Sequence, residues 1–275
     1  MLKFISKTSI GYAHIGSGTV CQDYSASYHD EERTIVTACD GHGGKIYIRS
    51  NMGSKYASQA VMSVFQNVRR SLFYKYTRQE ICEKIKLGVL CEWNTLAERD
   101  VSEKPFTKKE LEKLGEEEIF RLKGNFSKAY GTTLNGAMVF GNKLICINVG
   151  DGGVFALKKG EVKSVFEEID DDETVANLTY SMCSEDAYKH INVKILDFCE
   201  YDGVLICTDG VVNPYQNMNN FAKSFAKPMT AKILADEYGD IDRFIEKMGT
   251  EIGIGDDVSC AMIVKSSTNP KNYRR

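Results

Sequence analysis

The chain has 275 residues, of which 43% are hydrophobic and 27% are charged, and this composition is typical of one large or two small globular domains. Its formal net charge of −3 gives no basic surface to which nucleic acid or an anionic membrane would bind. The N-terminal segment lacks the apolar core of a signal peptide, and no run of about 18 apolar residues occurs, so we expect a cytoplasmic protein.

The first half of the chain predicts one strand and three helices. β-Branched residues bounded by glycine or aspartate indicate a strand, and apolar residues at helical spacing indicate amphipathic helices. In chain order these are a buried strand over 33–39, helices over 54–73 and 78–98, and an acidic helix that extends to about residue 122. Thr107 and Glu110 have the spacing of a capping box, which is expected to open the last helix.

The second half of the chain predicts mainly strands joined by hairpins. The elements are a β-meander from 131 to about 166 that includes a strand over 143–149, strands over 203–207 and 258–264, a helix over 230–250, and a flexible basic tail over 267–275. Hairpin-linked strands with helices between the β-rich blocks indicate an α+β fold, in which helices pack on antiparallel sheets.

The cysteines indicate a reduced protein. The nine cysteines include no Cys-x-x-Cys pair. Four of them lie inside apolar runs, where a thiol usually acts as a small buried hydrophobic group: Cys39, Cys146, Cys207 and Cys260. We therefore expect neither disulfides nor a zinc site.

Aspartates stand where predicted strands end or begin. They are Asp40 after 33–39, Asp151 after 143–149, Asp209 after 203–207, and Asp256 and Asp257 before 258–264. Strand exits and entrances can share one edge of an antiparallel sheet, so these acids can converge on one rim. Such a cluster would raise its own pKa values unless divalent cations neutralised it, and carboxylates are typical ligands of Mg²⁺ and Mn²⁺. The alternative is that each Asp-Gly pair is only a turn.

Six short motifs occur along almost the whole chain. They are QDY (22–24), DGHGG (40–44), GTTL (131–134), NVGDG (148–152), CTDGV (207–211) and GDDVS (255–259). As an ordered series they resemble the metal-dependent serine/threonine protein phosphatases of the PPM, or type 2C, family, and in particular its compact bacterial branch. The resemblance implies a single phosphatase domain over residues 1–266, built as an α/β/β/α sandwich of two packed antiparallel sheets flanked by helices.

The resemblance also implies a site for two Mn²⁺ or Mg²⁺ ions at one end of the sandwich, with a third, weaker position. Asp40 would bridge the two ions, and the carbonyl of Gly41 would bind one of them. Asp209 and Asp256 would hold the other ion. Asp151 would face the third position.

Two further matched residues would assist the reaction. His42 would act as the general acid, and Asp23 would support the metal ligands from behind. Two metal ions can activate a water molecule and neutralise the phosphoryl charge, so no nucleophilic serine or cysteine is needed. The glycines around His42 would let backbone oxygen and imidazole approach the ions closely.

The chain departs from the family pattern at three positions. Gly18 stands where the family places an arginine that binds the substrate phosphate. Gln22 replaces a glutamate beside Asp23, and Asp257 stands where asparagine is common. Phosphate binding could instead be provided by one of three other residues, each of which is by itself more typical of a surface or packing residue: His14, Lys45 and Arg49.

Three functional classes are compatible with these residues. The first is a protein phosphatase that acts on phosphoserine and phosphothreonine made by a partner kinase. The second is a hydrolase of small phosphoesters, which the missing arginine favours, and the third is a non-catalytic phosphopeptide-binding relative. The acidic stretch DDDE (170–173) lies where the family has a variable flap, and it is either a docking surface or a solvated loop.

Overall fold

Two antiparallel sheets of five strands each lie at the centre of the protein, whose computed structural model describes residues 1–166 and 180–273. The strands are β1 (Leu2–Ser9), β2 (Tyr24–His29), β3 (Arg33–Cys39), β4 (Leu134–Phe140), β5 (Lys143–Val149), β6 (Gly153–Lys158), β7 (Glu161–Ser164), β8 (Asn192–Asp197), β9 (Gly203–Cys207) and β10 (Val258–Lys265). The first sheet has the order β1-β10-β9-β6-β7, and the second has the order β2-β3-β4-β5-β8.

Helices cover the outer face of each sheet. The α-helices are α1 (Tyr12–Ser17), α2 (Ser50–Gln66), α3 (Leu72–Lys75), α4 (Arg78–Glu103), α5 (Lys108–Leu111), α6 (Glu116–Gly124), α7 (Ala187–His190), α8 (Asp209–Val212), α9 (Met218–Phe221), α10 (Lys227–Leu234) and α11 (Tyr238–Lys247). Helices α2 and α4 pack on the second sheet, and α10 and α11 pack on the first. The predicted α/β/β/α sandwich is therefore confirmed.

Strand β3 is buried on both of its faces. Its seven residues are all buried, and alternate side chains point to opposite faces of the sheet. Ile35 belongs to the core beneath α2 together with Phe65, whereas Val36 belongs to the core between the sheets together with Ile206. Because both faces are covered, Ile35 and Val36 are both apolar, and the polar side chains of Arg33 and Thr37 form hydrogen bonds with α2.

The end of α2 differs from the predicted helix over 54–73. The helix ends at Gln66, because the guanidinium of Arg33 donates hydrogen bonds to the carbonyl oxygens of Phe65 (3.1 Å), Gln66 (2.6 Å) and Val68 (3.0 Å). The last carbonyls of a helix have no partner within the helix. A side chain from the neighbouring strand supplies that partner here, so the helix boundary depends on a tertiary contact.

Two other predicted helices are interrupted. The capping box at Thr107 is confirmed, but the helix that it opens ends at Leu111, and α6 begins only after Gly115. The predicted helix over 230–250 consists of α10 and α11, and Asp236 between them has a positive φ of 61°. This backbone conformation ends a helix.

The predictions failed mainly at the edges of the sheets and at the C-terminus. The sequence analysis missed β1, β2 and β8, which are edge strands with few fully buried residues. The flexible tail predicted over 267–275 is wrong for its described part. Pro270–Tyr273 forms a 3₁₀ helix, Tyr273 is only 1% exposed, and its hydroxyl donates to Asp202 over 2.8 Å. The acidic stretch over 170–173 lies outside the described residues.

Candidate metal and catalytic site

Three aspartates from distant parts of the chain meet at one end of the sandwich. Asp40 follows β3, Asp151 lies in the turn between β5 and β6, and Asp209 opens α8 directly after β9. One carboxylate oxygen of each residue lies within 4.8 Å of the others. Gly150 has a φ of 82°, a conformation that glycine tolerates and that turns the chain towards Asp151. The arrangement fits a hard divalent cation, because such ions prefer clustered carboxylate oxygens.

The raised pKa values of the clustered aspartates also indicate a cation site. Burial raises the pKa of Asp40 well above its ordinary range, and the negative charges of Asp23, Asp209, Asp256 and Asp151 raise it further. The pKa of Asp209 is raised by burial and by the charges of Asp151 and Asp256. Without cations, the cluster therefore repels itself, and bound cations would relieve that repulsion.

The DGHGG segment passes between two other backbone segments. The N–H of Gly41 donates to the carbonyl of Gln22 over 3.1 Å, and the N–H of His42 donates to the carbonyl of Gly131 over 3.1 Å. A Cβ at Gly41 would lie 2.7 Å from the carbonyl oxygens of both Gln22 and Ser50. Only glycine fits this passage, so the glycine serves backbone packing next to the cluster.

Asp23 and Asp257 accept hydrogen bonds from the segments that surround the cluster. The hydroxyl of Thr208 donates to Asp23 over 2.8 Å, and burial raises the pKa of this carboxyl despite that hydrogen bond. Asp257 accepts the N–H of Gly11 on one oxygen (2.7 Å) and the N–H of Gln22 on the other (2.6 Å). An asparagine has only one acceptor oxygen, so a carboxylate satisfies these two donors better.

The structure bears differently on the three residues that were predicted to bind phosphate. The prediction for Arg49 is wrong. This residue is only 8% exposed, and its guanidinium binds Asp100 (3.1 Å), Glu110 (2.8 Å) and the hydroxyl of Tyr130 (3.0 Å). Arg49 therefore fixes the start of α2 to neighbouring helices. For His14 and Lys45, phosphate binding stays a prediction. His14 lies with Nδ1 2.9 Å from Asp257, and Lys45 lies exposed in the loop after His42.

Sequence reasoning missed a cleft that opens beside His42. Its volume is about 660 Å³, and its walls include Tyr47, Arg121, Lys128 and Glu185. These residues belong to no motif and come from separate parts of the chain. No periodicity or spacing signals such a grouping, so only the folded structure reveals it.

None of the helices within residues 1–166 and 180–273 combines the length and the apolar character that crossing a bilayer requires.

Comparisons with known proteins agree with this geometry. A family model described as "Protein phosphatase 2C" matches residues 10–243. The sequence matches none of the curated proteins. At the identities of the structural matches below, the likeness is one of fold.

Three solved structures illustrate the likeness. The serine/threonine phosphatase Stp1 from Staphylococcus aureus is 16% identical with a TM-score of 0.56, covering 96% of this chain and 95% of that chain. The S. agalactiae serine/threonine phosphatase is 16% identical with a TM-score of 0.61, and the match covers 96% of this chain and 99% of that chain. The catalytic domain of the phosphatase PstP, in complex with two manganese ions, is 14% identical with a TM-score of 0.54, covering 96% and 97%.

Proposed function

We propose a mechanism on the premise that this chain belongs to the protein phosphatase 2C family and is a metal-dependent protein serine/threonine phosphatase. Asp40, Asp209 and Asp256, with the carbonyl of Gly41, would hold two Mn²⁺ or Mg²⁺ ions, and Asp151 would face a weaker third ion. The observation that supports a cation site here is the convergence of the carboxylate oxygens of Asp40, Asp151 and Asp209 within 4.8 Å, and Asp256 belongs to the same site because its charge raises the pKa of Asp40 and of Asp209. Bound ions supply activation of the attacking water and neutralise the phosphoryl charge.

His42 donates the proton that the departing serine or threonine oxygen needs. Its backbone is fixed by the hydrogen bond to Gly131, and its ring packs against Tyr47 with the centroids 4.9 Å apart. Burial lowers the pKa of His42, and the charge of Asp151 opposes this shift. An alkoxide is a poor leaving group, so protonation by a fixed imidazole accelerates its departure.

Gln22, Asp23 and Asp257 keep this machinery in place. Asp23 supports Asp40 from behind, and Asp257 joins the N-terminal segment to the strand that follows Asp256. Gln22 links the His42 loop to α2 through hydrogen bonds of its side chain to the carbonyl of His42 (3.3 Å) and the hydroxyl of Ser50 (2.7 Å).

The substrate is a phosphorylated protein, so a protein kinase must produce it. The protein acts in the cytoplasm, as its cysteines suggest. All nine cysteines are free, and Cys207 and Cys260 stand directly opposite each other on paired strands without a disulfide. Such cysteines suit a reducing compartment.

The test of this function is phosphate release from matched phosphoserine and phosphothreonine peptides and from small phosphoesters, with and without added Mn²⁺. We expect Mn²⁺-dependent release with a higher kcat/KM on the peptides. A higher kcat/KM on small phosphoesters would instead identify a small-molecule phosphatase, and no release from any substrate would identify a non-catalytic binding protein.

A further inference from the structure

The cleft beside His42 is larger than a phosphoryl group requires. Its volume of about 660 Å³ lies within the range of pockets that enclose drug-sized ligands. One wall is formed by His42 and Tyr47, a second by the segment around Arg121 and Lys128, and a third by residues 180–190. The cleft therefore has room for side chains that flank the phosphorylated residue.

Two cations line this cleft, and their partners within the protein are loosely held. Lys128 lies 3.7 Å from Glu185, whose side chain is 84% exposed. Arg121 pairs with Glu117 one helical turn earlier, and the Glu117 side chain is 75% exposed. Exposed ion pairs of this kind stabilise a protein by only about 0–1 kcal/mol. A carboxylate or phosphate on a bound substrate can therefore replace Glu117 or Glu185.

The two acidic residues of the cleft walls have different partners. Glu185 and Asp186 lie in the same walls, but Asp186 is already engaged by His190, at a distance of 3.0 Å between Oδ2 and Nε2. The ring of His190 also stacks on Tyr180, with the centroids 3.5 Å apart. Asp186 therefore does not pair with Arg121 or Lys128, and a new anion has to replace only the highly exposed Glu117 or Glu185.

The position of Lys128 is fixed with respect to His42. Lys128 lies in the 3₁₀ helix Phe126–Tyr130, which Asn125 caps by accepting the N–H of Ser127 over 3.0 Å. The carbonyl of Lys128 accepts the N–H of Gly131 over 3.3 Å, and the carbonyl of Gly131 accepts the N–H of His42. The Lys128 side chain is only 29% exposed, so little conformational entropy is lost when it binds an anion.

We propose that Arg121 and Lys128 form an anion subsite that binds a carboxylate or second phosphate close to the phosphorylated serine or threonine of the substrate. The preferred substrates are thus phosphoproteins with acidic residues, or a second phosphate, around the target residue. This inference rests on the proposed function, since it concerns the substrate of the same site.

The test uses the full chain with Mn²⁺ and four phosphoserine peptides of equal length, in which the neighbouring residue is Ala, Glu, Lys or a second phosphoserine. We expect the wild type to favour the Glu and doubly phosphorylated peptides over the Ala peptide by about 5-fold in kcat/KM, because a partly exposed charged contact changes affinity by up to about that factor. Preference for the doubly phosphorylated peptide alone would identify the anion as a second phosphate.

Variants assign the preference to the two cations. Arg121→Ala combined with Lys128→Ala should reduce the acidic-to-neutral ratio of kcat/KM to about 1, whereas Lys123→Ala, an exposed cation on α6, should keep it. Arg121→Lys combined with Lys128→Arg retains both charges and should keep part of the preference. Equal rates on all singly and doubly phosphorylated peptides in the wild type would overturn the subsite alone, and so would a preference that survives the double alanine change. Absence of Mn²⁺-dependent release from every peptide would overturn the proposed function as well.

Discussion

The side-chain amide of Gln22 donates a hydrogen bond to the backbone carbonyl of His42 over a distance of 3.3 Å. The same amide donates to the hydroxyl of Ser50 over 2.7 Å, so one side chain joins the His42 loop to the first turn of α2. An ionised glutamate accepts hydrogen bonds but donates none. The departure from the family pattern at this position therefore exchanges a negative charge for an anchor of the His42 loop.

Removing this anchor should slow the reaction. We expect Gln22→Ala to reduce kcat on a phosphopeptide by about 5-fold, since a hydrogen bond that positions the loop contributes about 1 kcal/mol. Gln22→Glu should also reduce kcat, because its carboxylate would face the His42 carbonyl oxygen. Steady-state kinetics at saturating Mn²⁺ provide the measurement, with the exposed Gln79→Ala as control. A kcat unchanged by both substitutions would contradict the role of Gln22 as an anchor.

Metal dependence has a readout in stability as well as in activity. A ligand that binds only the folded state raises the free energy of unfolding with its concentration. We therefore expect Mn²⁺ to raise the Tm of chelator-treated protein and to restore phosphate release. Asp40→Asn should abolish the rise in Tm, whereas Asp186→Asn, at the mouth of the cleft, should retain it. Full turnover after exhaustive chelation would refute the metal assignment.

The aspartates should differ in importance. Asp40→Asn and Asp209→Asn should each reduce turnover by at least about 10²-fold. Each substitution removes a negative charge that would bind the metal ions, and these ions stabilise the charge of the transition state. Asp151→Asn should cost less, being assigned to the weaker ion. In chelator at pH 7, Asp40→Asn should raise the free energy of unfolding, since the raised pKa of Asp40 means that its charge destabilises the metal-free fold. Equal and mild losses at all three positions would mean that they are turn residues.

The role of His42 depends on the leaving group. His42→Ala should reduce turnover of an alkyl phosphopeptide by about 10²–10⁴-fold, the span typical of general acid catalysis. An aryl phosphate such as p-nitrophenyl phosphate leaves as a stable anion, so its turnover should fall much less. The concentration of Mn²⁺ that gives half of the rise in Tm should not change. Equal losses on both substrates would assign His42 to positioning, and loss of Mn²⁺ binding would make it a ligand.

The ion pair between Arg49 and Glu110 predicts a pH-dependent stability. The hydrogen bond from Arg49 lowers the pKa of Glu110 to about 2, below its usual value in an unfolded chain. The contribution of this ion pair to the free energy of unfolding is therefore complete above about pH 5, and it is lost as the pH falls towards 2. Glu110→Gln should lower the free energy of unfolding by about 1–2 kcal/mol at pH 7, since solvent screens this partly exposed pair, and by less at pH 3.5. Urea denaturation measures the effect, with the exposed Glu112→Gln as control, and a pH-independent loss would contradict it.

Local physical chemistry determined much of the fold and of the candidate site from the sequence alone. Burial on both faces makes β3 rich in apolar and β-branched residues, and a capping box needs only Thr107 and Glu110 three residues apart, so both could be recognised in short segments. The positions of the aspartates at strand ends likewise indicated that they could converge, because strand exits and entrances can share one edge of an antiparallel sheet, and the structure brings Asp40, Asp151 and Asp209 together.

Only the tertiary structure decided the features that depend on contacts between distant residues. Arg49 was one of three weak candidates for phosphate binding, but Asp100 and Glu110, 51 and 61 residues further on, hold it in a buried ion-pair network. Lys128 and Glu185 meet across the cleft although no motif links them. The reason is that burial and charge pairing belong to the folded arrangement, whereas a sequence pattern reports the preferences of neighbouring residues.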